Sequence, residues 1–196
     1  MKVNAKFLRS SSDVAHFPPA GPPEIAFLGR SNVGKSSLIN SLLGEKMAKT
    51  SSTPGRTRMI NFFEVRRPGK PHPEWIFADL PGYGYAKLPR EQTAEWPKFI
   101  EPYLEKRSSL ALCIVLVDLN VPTQQSDKTL VEWLRHAGRR YVIVATKADK
   151  LSGNKLTHSM RRVHADFDAD NAVPFSTRTG AGRDQLWKEI FRSCEL

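Results

Sequence analysis

The chain has 196 residues, with 30 Lys and Arg against 20 Asp and Glu, and a formal net charge of +10. Its length fits one domain, and a chain of this size buries about 70% of its unfolded surface without needing disulfides or a structural metal. No stretch reaches the roughly 18 consecutive apolar residues of a membrane span, and the first residues lack the apolar core of a secretory signal. We therefore expect a cytoplasmic protein with no membrane partner. The positive charge favours an anionic partner, of which nucleic acid is the commonest.

The order of predicted elements indicates an α/β fold. Residues 1–23 end in a Pro-rich segment that cannot form helix, so we expect an extended lead-in to a single domain at 24–196. The predicted elements that follow, in chain order, are a strand at 25–28, a helix at 35–43, strands at 59–65 and 75–78, a helix at 91–106 with Pro97 and Pro102 inside it, a strand at 111–117, a helix at 124–136, a strand at 141–145, a helix at 155–167, a strand at 172–175 and a helix at 183–191. Alternating strands and helices predict a mostly parallel sheet covered on both faces. Cys113 lies in an apolar run, and we expect it to be a buried thiol.

Residues 29–36 read G-R-S-N-V-G-K-S and match the phosphate-loop pattern G-x-x-x-x-G-K-S/T, with a strand before it and a helix after it. The alternative is an ordinary Gly-containing turn. In a phosphate loop, backbone N–H groups close around a phosphate and the helix N-terminus adds partial positive charge. We expect Lys35 to reach the β- and γ-phosphates and the Ser36 hydroxyl to hold Mg²⁺. The candidate phosphate-binding residues are Gly29, Arg30, Ser31, Asn32, Val33, Gly34, Lys35 and Ser36.

Residues 146–149 read T-K-A-D, a variant of the guanine-specificity motif N-K-x-D, and they follow a buried strand. The Asp149 carboxylate can accept hydrogen bonds from N1–H and the 2-amino group of guanine, and adenine offers neither donor. Lys147 is expected to pack over the base, beside Ala148. Thr146 replaces the more usual Asn, and its hydroxyl can still tie this loop to the phosphate loop, although it has one donor where an amide has two.

Two further segments point to a metal and a switch. Residues 79–82 read D-L-P-G, so we expect Asp79 to orient Mg²⁺ through water and the Gly82 N–H to sense the γ-phosphate, with Leu80 and Pro81 between them. A simple β-turn is the alternative. In the polar stretch 50–58 one Thr should reach Mg²⁺, and the residues alone do not choose among Thr50, Thr53 and Thr57. A backbone N–H of Phe175, Ser176 or Thr177 is a candidate contact to the guanine carbonyl.

Together with the segment 53–57, which reads T-P-G-R-T, and with 79–86, which reads D-L-P-G-Y-G-Y-A, these motifs resemble the EngB (YihA/YsxC) family of TRAFAC-class GTPases from bacteria. The resemblance implies a three-layer P-loop NTPase G domain with a mostly parallel six-stranded sheet, one antiparallel strand and helices on both faces. It implies binding of GTP and GDP, a monomer, and a switch role in assembly of the large ribosomal subunit, with its rRNA and proteins, and in normal septation. It assigns the switch Thr to Thr57, beside Ser36 on Mg²⁺. It also adds to the nucleotide site the residues Gly55, Arg56, Thr57, Arg58 and Met59.

Hydrolysis is expected to be slow, because Tyr83 stands where many GTPases have the Gln that orients the attacking water. No residue is assigned as catalytic beyond phosphate stabilisation by Lys35. Some related GTPases use an Asn at the position of Asn32 to hold K⁺, whereas the alternative is an Asn chosen for loop geometry. Competing interpretations of the whole chain are a tRNA-modification or other RNA-linked P-loop GTPase, or a P-loop kinase; a kinase would leave the T-K-A-D segment unexplained.

Overall fold

The computed structural model of the chain describes residues 1–48, 59–83 and 95–194. Within these ranges seven strands form one sheet in the order β1-β3-β4-β2-β5-β6-β7. The strands are β1 (Asn4–Ser11), β2 (Glu24–Gly29), β3 (Ile60–Arg66), β4 (Trp75–Asp79), β5 (Leu110–Asp118), β6 (Tyr141–Thr146) and β7 (Val173–Pro174).

The expected fold class is confirmed, because β2 pairs in parallel with both β4 and β5, and β6 continues the parallel set. One strand, β3, runs antiparallel to its neighbour β4. The sheet has seven strands rather than the expected six because residues 4–11, within the expected lead-in, also pair with β3. A bulge interrupts that pairing between Phe7 and Arg9, and the Phe7 ring meets Phe63 edge to face at 5.8 Å.

Five α-helices lie in the described part of the chain. They are α1 (Lys35–Leu43), α2 (Glu95–Lys106), α3 (Gln125–His136), α4 (Gly153–Phe167) and α5 (Arg183–Cys194). The helix predicted at 91–106 is present from Glu95 and runs through Pro102, and residues 91–94 lie outside the described ranges. None of the described helices combines the length and the apolar character that crossing a membrane would require.

The strands bury side chains on both faces, as expected for a sheet between two helix layers. Along β2 successive side chains alternate, so Ile25 and Phe27 join one cluster while Ala26 and Leu28 join the other. The first cluster takes its helical side chains from α1 and α5, and the second takes them from α2, α3 and α4. Cys113 is fully buried in the second cluster, as expected, and burial raises the pKa of its thiol to about 12.

Candidate nucleotide-binding site

The loops that carry the predicted motifs all begin where parallel strands end. The phosphate loop follows β2, the D-L-P-G segment begins with the last residue of β4, and the T-K-A-D segment begins with the last residue of β6. In an open parallel sheet the carboxyl ends of the strands share one edge, where ligands of α/β proteins bind. The topology therefore gathers these segments at a single edge of the sheet.

The phosphate loop adopts a conformation that leaves several N–H groups available. Asn32 has a φ of 66° and Gly34 a φ of 104°, both in the left-handed region, which Asn and Gly tolerate better than other residues. No hydrogen bond to another described residue uses the backbone N–H groups of Gly34, Lys35 or Ser36. At the helix N-terminus such groups favour an anion.

Glycine at two positions allows close approach around this loop. A Cβ on Gly29 would lie 2.8 Å from Cγ1 of Val33, and one on Gly82 would lie 3.0 Å from Oγ of Ser31. Backbone pairing holds the two segments together, since the Ser31 N–H donates to the Tyr83 carbonyl at 3.2 Å. The Gly82 backbone therefore lies directly against the phosphate loop, and its role as a γ-phosphate sensor stays a prediction.

Lys35 and Asp79 form a buried ion pair between the phosphate loop and the end of β4. Their side chains are 10% and 5% exposed. Lys35 is the one described residue whose side chain donates to the Asp79 carboxylate, although a carboxylate has room for about four such contacts. The structure thus joins the predicted phosphate ligand and the predicted metal-orienting carboxylate in one contact.

Thr146 ties the T-K-A-D segment at 146–149, which we call the base loop, to the phosphate loop, as its hydroxyl was expected to do. Its Oγ1 lies 2.7 Å from the Val33 carbonyl oxygen and 3.1 Å from that of Val117, inside the buried interior. One hydroxyl has one proton, and the shorter contact to Val33 is the better hydrogen bond. A Thr therefore makes the connection between the two loops with a single donor.

Lys147 reinforces that connection through a residue that sequence reasoning missed. Its Nζ donates to the Asn32 carbonyl at 3.0 Å and to the Asp118 carboxylate at 2.5 Å. Burial alone would raise the pKa of Asp118, but hydrogen bonds from Lys147 and Asn120 outweigh it and hold that pKa below its usual value. The available signal was position, because Asp118 ends the buried strand β5 at the same edge as the motifs.

Asp149 is held by Ser176 at the far end of the site. The Ser176 hydroxyl donates to Oδ1 of Asp149 at 2.7 Å and accepts from the N–H groups of Arg178 and Thr179. The hydrogen bond from Ser176 is the largest cause of the lowered pKa of Asp149. Of the three candidate N–H groups, those of Phe175 and Ser176 donate to backbone carbonyls, which leaves that of Thr177 without a described backbone partner.

Comparison with known proteins places this arrangement in a family. A family model described as 50S ribosome-binding GTPase matches residues 24–147. A probable GTP-binding protein EngB from Koribacter versatilis is 58% identical over 98% of this chain and 95% of its own length. The chain belongs to the EngB family of GTP-binding proteins. It is accordingly a GTPase, and the kinase alternative is set aside.

Solved structures agree with this family fold. A probable GTP-binding protein engB matches 87% of this EngB-family chain and 98% of its own, with a TM-score of 0.70 and 24% identity. Era, solved in complex with MgGDPNP and nucleotides of 16S ribosomal RNA, matches 89% of this chain and 57% of its own length, with a TM-score of 0.73 and 25% identity.

Tyr83 has a partner in this EngB-family chain that the sequence did not predict. Its hydroxyl donates to Oδ1 of Asp127, in the first turn of α3, at 2.9 Å. Burial raises the pKa of Tyr83 well above its usual value, and the nearby Asp127 carboxylate adds to that shift. The side chain that follows Gly82 in the sequence is thus hydrogen-bonded to α3.

Several predicted residues lie outside the described ranges. They include Gly55, Arg56, Thr57 and Arg58, together with the alternative switch residues Thr50 and Thr53. Met59 is described, and it is exposed directly before β3. The metal ligand assigned to Thr57 therefore remains a prediction.

Proposed function

We propose that this EngB-family chain is a GTP-dependent switch that acts in assembly of the large ribosomal subunit and is needed for normal septation. The observation that carries the nucleotide part is the convergence of Lys35, the Thr146–Val33 bond and the Ser176-held Asp149 at one edge of the sheet. The ribosomal part is supported by the family description, by the rRNA bound to Era and by the charge of +10. The proposal includes a cytoplasmic monomer.

Selectivity for guanine follows from how Asp149 is held. Its ionised form is favoured by the Ser176 hydrogen bond, so it is ready to accept from the N1–H and 2-amino donors of guanine. The Thr177 N–H is the candidate donor to the guanine carbonyl. Lys147, fixed by Asp118 and Asn32, presents its stem beside the same loop. Adenine offers neither of these donors to the Asp149 carboxylate, which disfavours adenine nucleotides.

The residues present fit a magnesium ion. Asp79 is a buried carboxylate with capacity for further contacts, and Ser36 offers a hydroxyl in the first turn of α1 beside Lys35. Ser36 and Thr57 would hold Mg²⁺ directly and Asp79 through water, and the ion would neutralise charge on the β- and γ-phosphates. Lys35 would then exchange part of its contact with Asp79 for the phosphates.

We further propose that hydrolysis is slow without a partner. Tyr83 has no amide to orient water, and its hydroxyl donates to Asp127. A K⁺ bound by Asn32 is a secondary proposal, because the left-handed φ of Asn32 already gives a geometric reason for an Asn there. Comparing single-turnover hydrolysis in KCl and in NaCl tests it, and equal rates would remove K⁺.

Base selectivity is tested by Asp149→Asn. We expect this variant to lose affinity for GTP and to gain affinity for xanthosine triphosphate, because an amide can donate to the xanthine 2-carbonyl. Titration of both nucleotides against both proteins measures the exchange. Unchanged GTP affinity would remove Asp149 from the base site.

The ribosomal role is tested by sedimentation with large ribosomal subunits in GTP, GDP or no nucleotide. We expect cosedimentation that is strongest with one nucleotide state. Asp149→Asn is the matched control, because it should regain the GTP-dependent behaviour when xanthosine triphosphate is supplied. Absence from the subunit fraction in all three conditions would contradict the assembly role and leave the GTPase assignment intact.

A further inference from the structure

A groove of about 340 Å³ lies between the loop that follows β5 and the first turns of α4. Its polar lining consists of Asn120, Asn154, Lys155, His158, Ser159 and Arg162, and we call it the α4 groove. Because α4 follows the base loop after β6, the groove lies at the same edge of the sheet as the nucleotide site. Asn120 links the two, since its side chain donates to Asp118 and to the Lys147 carbonyl.

The lining of the α4 groove contains no acidic residue. Lys155, His158 and Arg162 are spaced three and four residues apart, so they share one face of the helix. Lys155 and His158 are exposed, and neither forms an ion pair with a described residue. The groove therefore offers hydrogen-bond donors and positive charge without an internal counter-charge.

The one acidic residue of α4, Asp166, lies one turn beyond Arg162 on the same side of the helix, outside the lining of the groove. Its carboxylate accepts from Lys128 of α3 at 2.8 Å, and that hydrogen bond is the largest cause of its lowered pKa. At the groove itself, Arg162 donates through Nη2 to the Leu119 and Val121 carbonyls, while its Nε is buried without a described partner. Asp166 therefore partly offsets the Arg162 charge, whereas Lys155 keeps its charge in the groove without an ion pair to a described residue.

The other basic pairs of the sequence lie at the opposite edge of the sheet. Arg66 and Arg67 end β3, which runs antiparallel, and Arg67 pairs with Glu74. Arg139 and Arg140 precede β6 and donate to backbone carbonyls. A second cavity, behind the phosphate loop, has mixed charge because Asp118 and Asp127 line it. The α4 groove, in contrast, is a basic surface at the nucleotide edge of the sheet with no acidic residue in its lining.

We propose that the α4 groove binds the phosphate backbone of ribosomal RNA, an inference that rests on the proposed function. Lys155 and Arg162 supply charge, Asn120 and Asn154 supply amide donors, and His158 supplies a ring that can stack on an unpaired base. An acidic protein surface would also complement the positive charge of the groove. The amides and the imidazole favour RNA, because they can form hydrogen bonds with sugars, phosphates and base edges. The groove shares Asn120 with the base loop, so RNA and nucleotide contact neighbouring atoms.

The test compares Lys155→Glu with Lys70→Glu. Both residues are exposed lysines and both changes remove two units of charge, but Lys70 lies in the β3–β4 turn at the opposite edge. The probes are large ribosomal subunits and the same rRNA stripped of its proteins, each measured over a range of KCl with a non-hydrolysable GTP analogue. GDP affinity of each variant checks that the site is intact, and Lys155→Gln is the milder substitute if Lys155→Glu fails this check.

We expect Lys155→Glu to weaken binding of both probes about tenfold and to reduce the slope of log affinity against log salt by about one, with a smaller change for Lys70→Glu. Equal effects of the two changes would overturn the proposal that the α4 groove binds RNA. Binding of the wild-type protein to subunits would still support the assembly role in that case. Loss of subunit binding with unchanged rRNA binding would assign the groove to a ribosomal protein and overturn the RNA proposal. If the wild-type protein binds the stripped rRNA in a way that depends on Lys155 but does not bind subunits, the result would support RNA binding at the α4 groove and contradict the assembly role.

Discussion

Two buried ion pairs lie at opposite edges of the same sheet, and they differ in how completely they are satisfied. At the amino edge, Glu24 of β2 accepts from Arg107 Nε at 2.8 Å, from the Tyr103 hydroxyl at 2.9 Å and from the Ser109 hydroxyl at 2.8 Å. Arg107 also donates to the Pro18 carbonyl at 2.8 Å, which anchors the Pro-rich segment. Removing a charge from water is tolerable when its lone pairs are used in this way.

At the carboxyl edge, the Lys35–Asp79 pair has no such surrounding network among the described residues. Each partner retains hydrogen-bonding capacity that the fold itself does not use. Burial of an ion pair therefore does not by itself reveal its role. A saturated pair stabilises the fold, whereas an under-coordinated pair beside free N–H groups is suited to exchange with a ligand.

The largest expected effect is that of Arg107→Ala on stability. The change leaves the Glu24 carboxylate, whose side chain is 1% exposed, without its counter-charge, and we expect a loss of about 3–5 kcal/mol in the free energy of unfolding. Urea denaturation measures it. Arg192→Ala is the matched control, because Arg192 pairs with Glu189 on the exposed surface, where a pair contributes about 0–1 kcal/mol. Equal losses for the two variants would show that the Arg107–Glu24 pair contributes no more to stability than an exposed pair.

Lys35→Ala should show that the two ion pairs have different roles, because only the Lys35–Asp79 pair is expected to change how much a bound nucleotide stabilises the fold. At a GDP concentration about 100 times its Kd, the wild-type protein should gain about 2.7 kcal/mol of stability. We expect Lys35→Ala to lose most of this gain at the same GDP concentration, because the phosphate contact is gone. Arg107→Ala should keep the full gain at any temperature where it is folded. Thermal unfolding with and without GDP measures both, and a full gain in Lys35→Ala would contradict the ligand role.

The smallest expected effect is that of Thr146. Its uncharged hydrogen bond lies at the nucleotide edge of the sheet, but both partners belong to the fold. Thr146→Val should cost about 1–2 kcal/mol in stability, because the buried Val33 carbonyl loses its donor. GTP affinity should fall with it, since the phosphate loop and base loop are no longer joined there. Thr146→Ser keeps the hydroxyl and is the control; if it loses as much GTP affinity as Thr146→Val, the hydrogen bond to Val33 does not account for the loss.

Much of the site could be predicted because its residues belong to short motifs of neighbouring positions in the sequence. The phosphate loop, Asp79 and Asp149 were found from short motifs that follow strands, and the topology then brings them to one edge. Asp118 and Asp127 were missed because they belong to no such motif. Their roles arise from Lys147 and Tyr83, which are 29 and 44 residues away along the chain.

The same contrast holds for the fold. The alternation of strands and helices could be predicted from the sequence alone, because hydrophobic periodicity and Gly positions act over a few residues. That Asn4–Ser11 forms a strand depends on tertiary contacts, because its partners on the edge of β3, from Ile60 to Arg66, are distant along the chain. The tertiary structure likewise decided that Glu24 is saturated and Asp79 is not, since partners converge on a carboxylate only when distant segments pack around it.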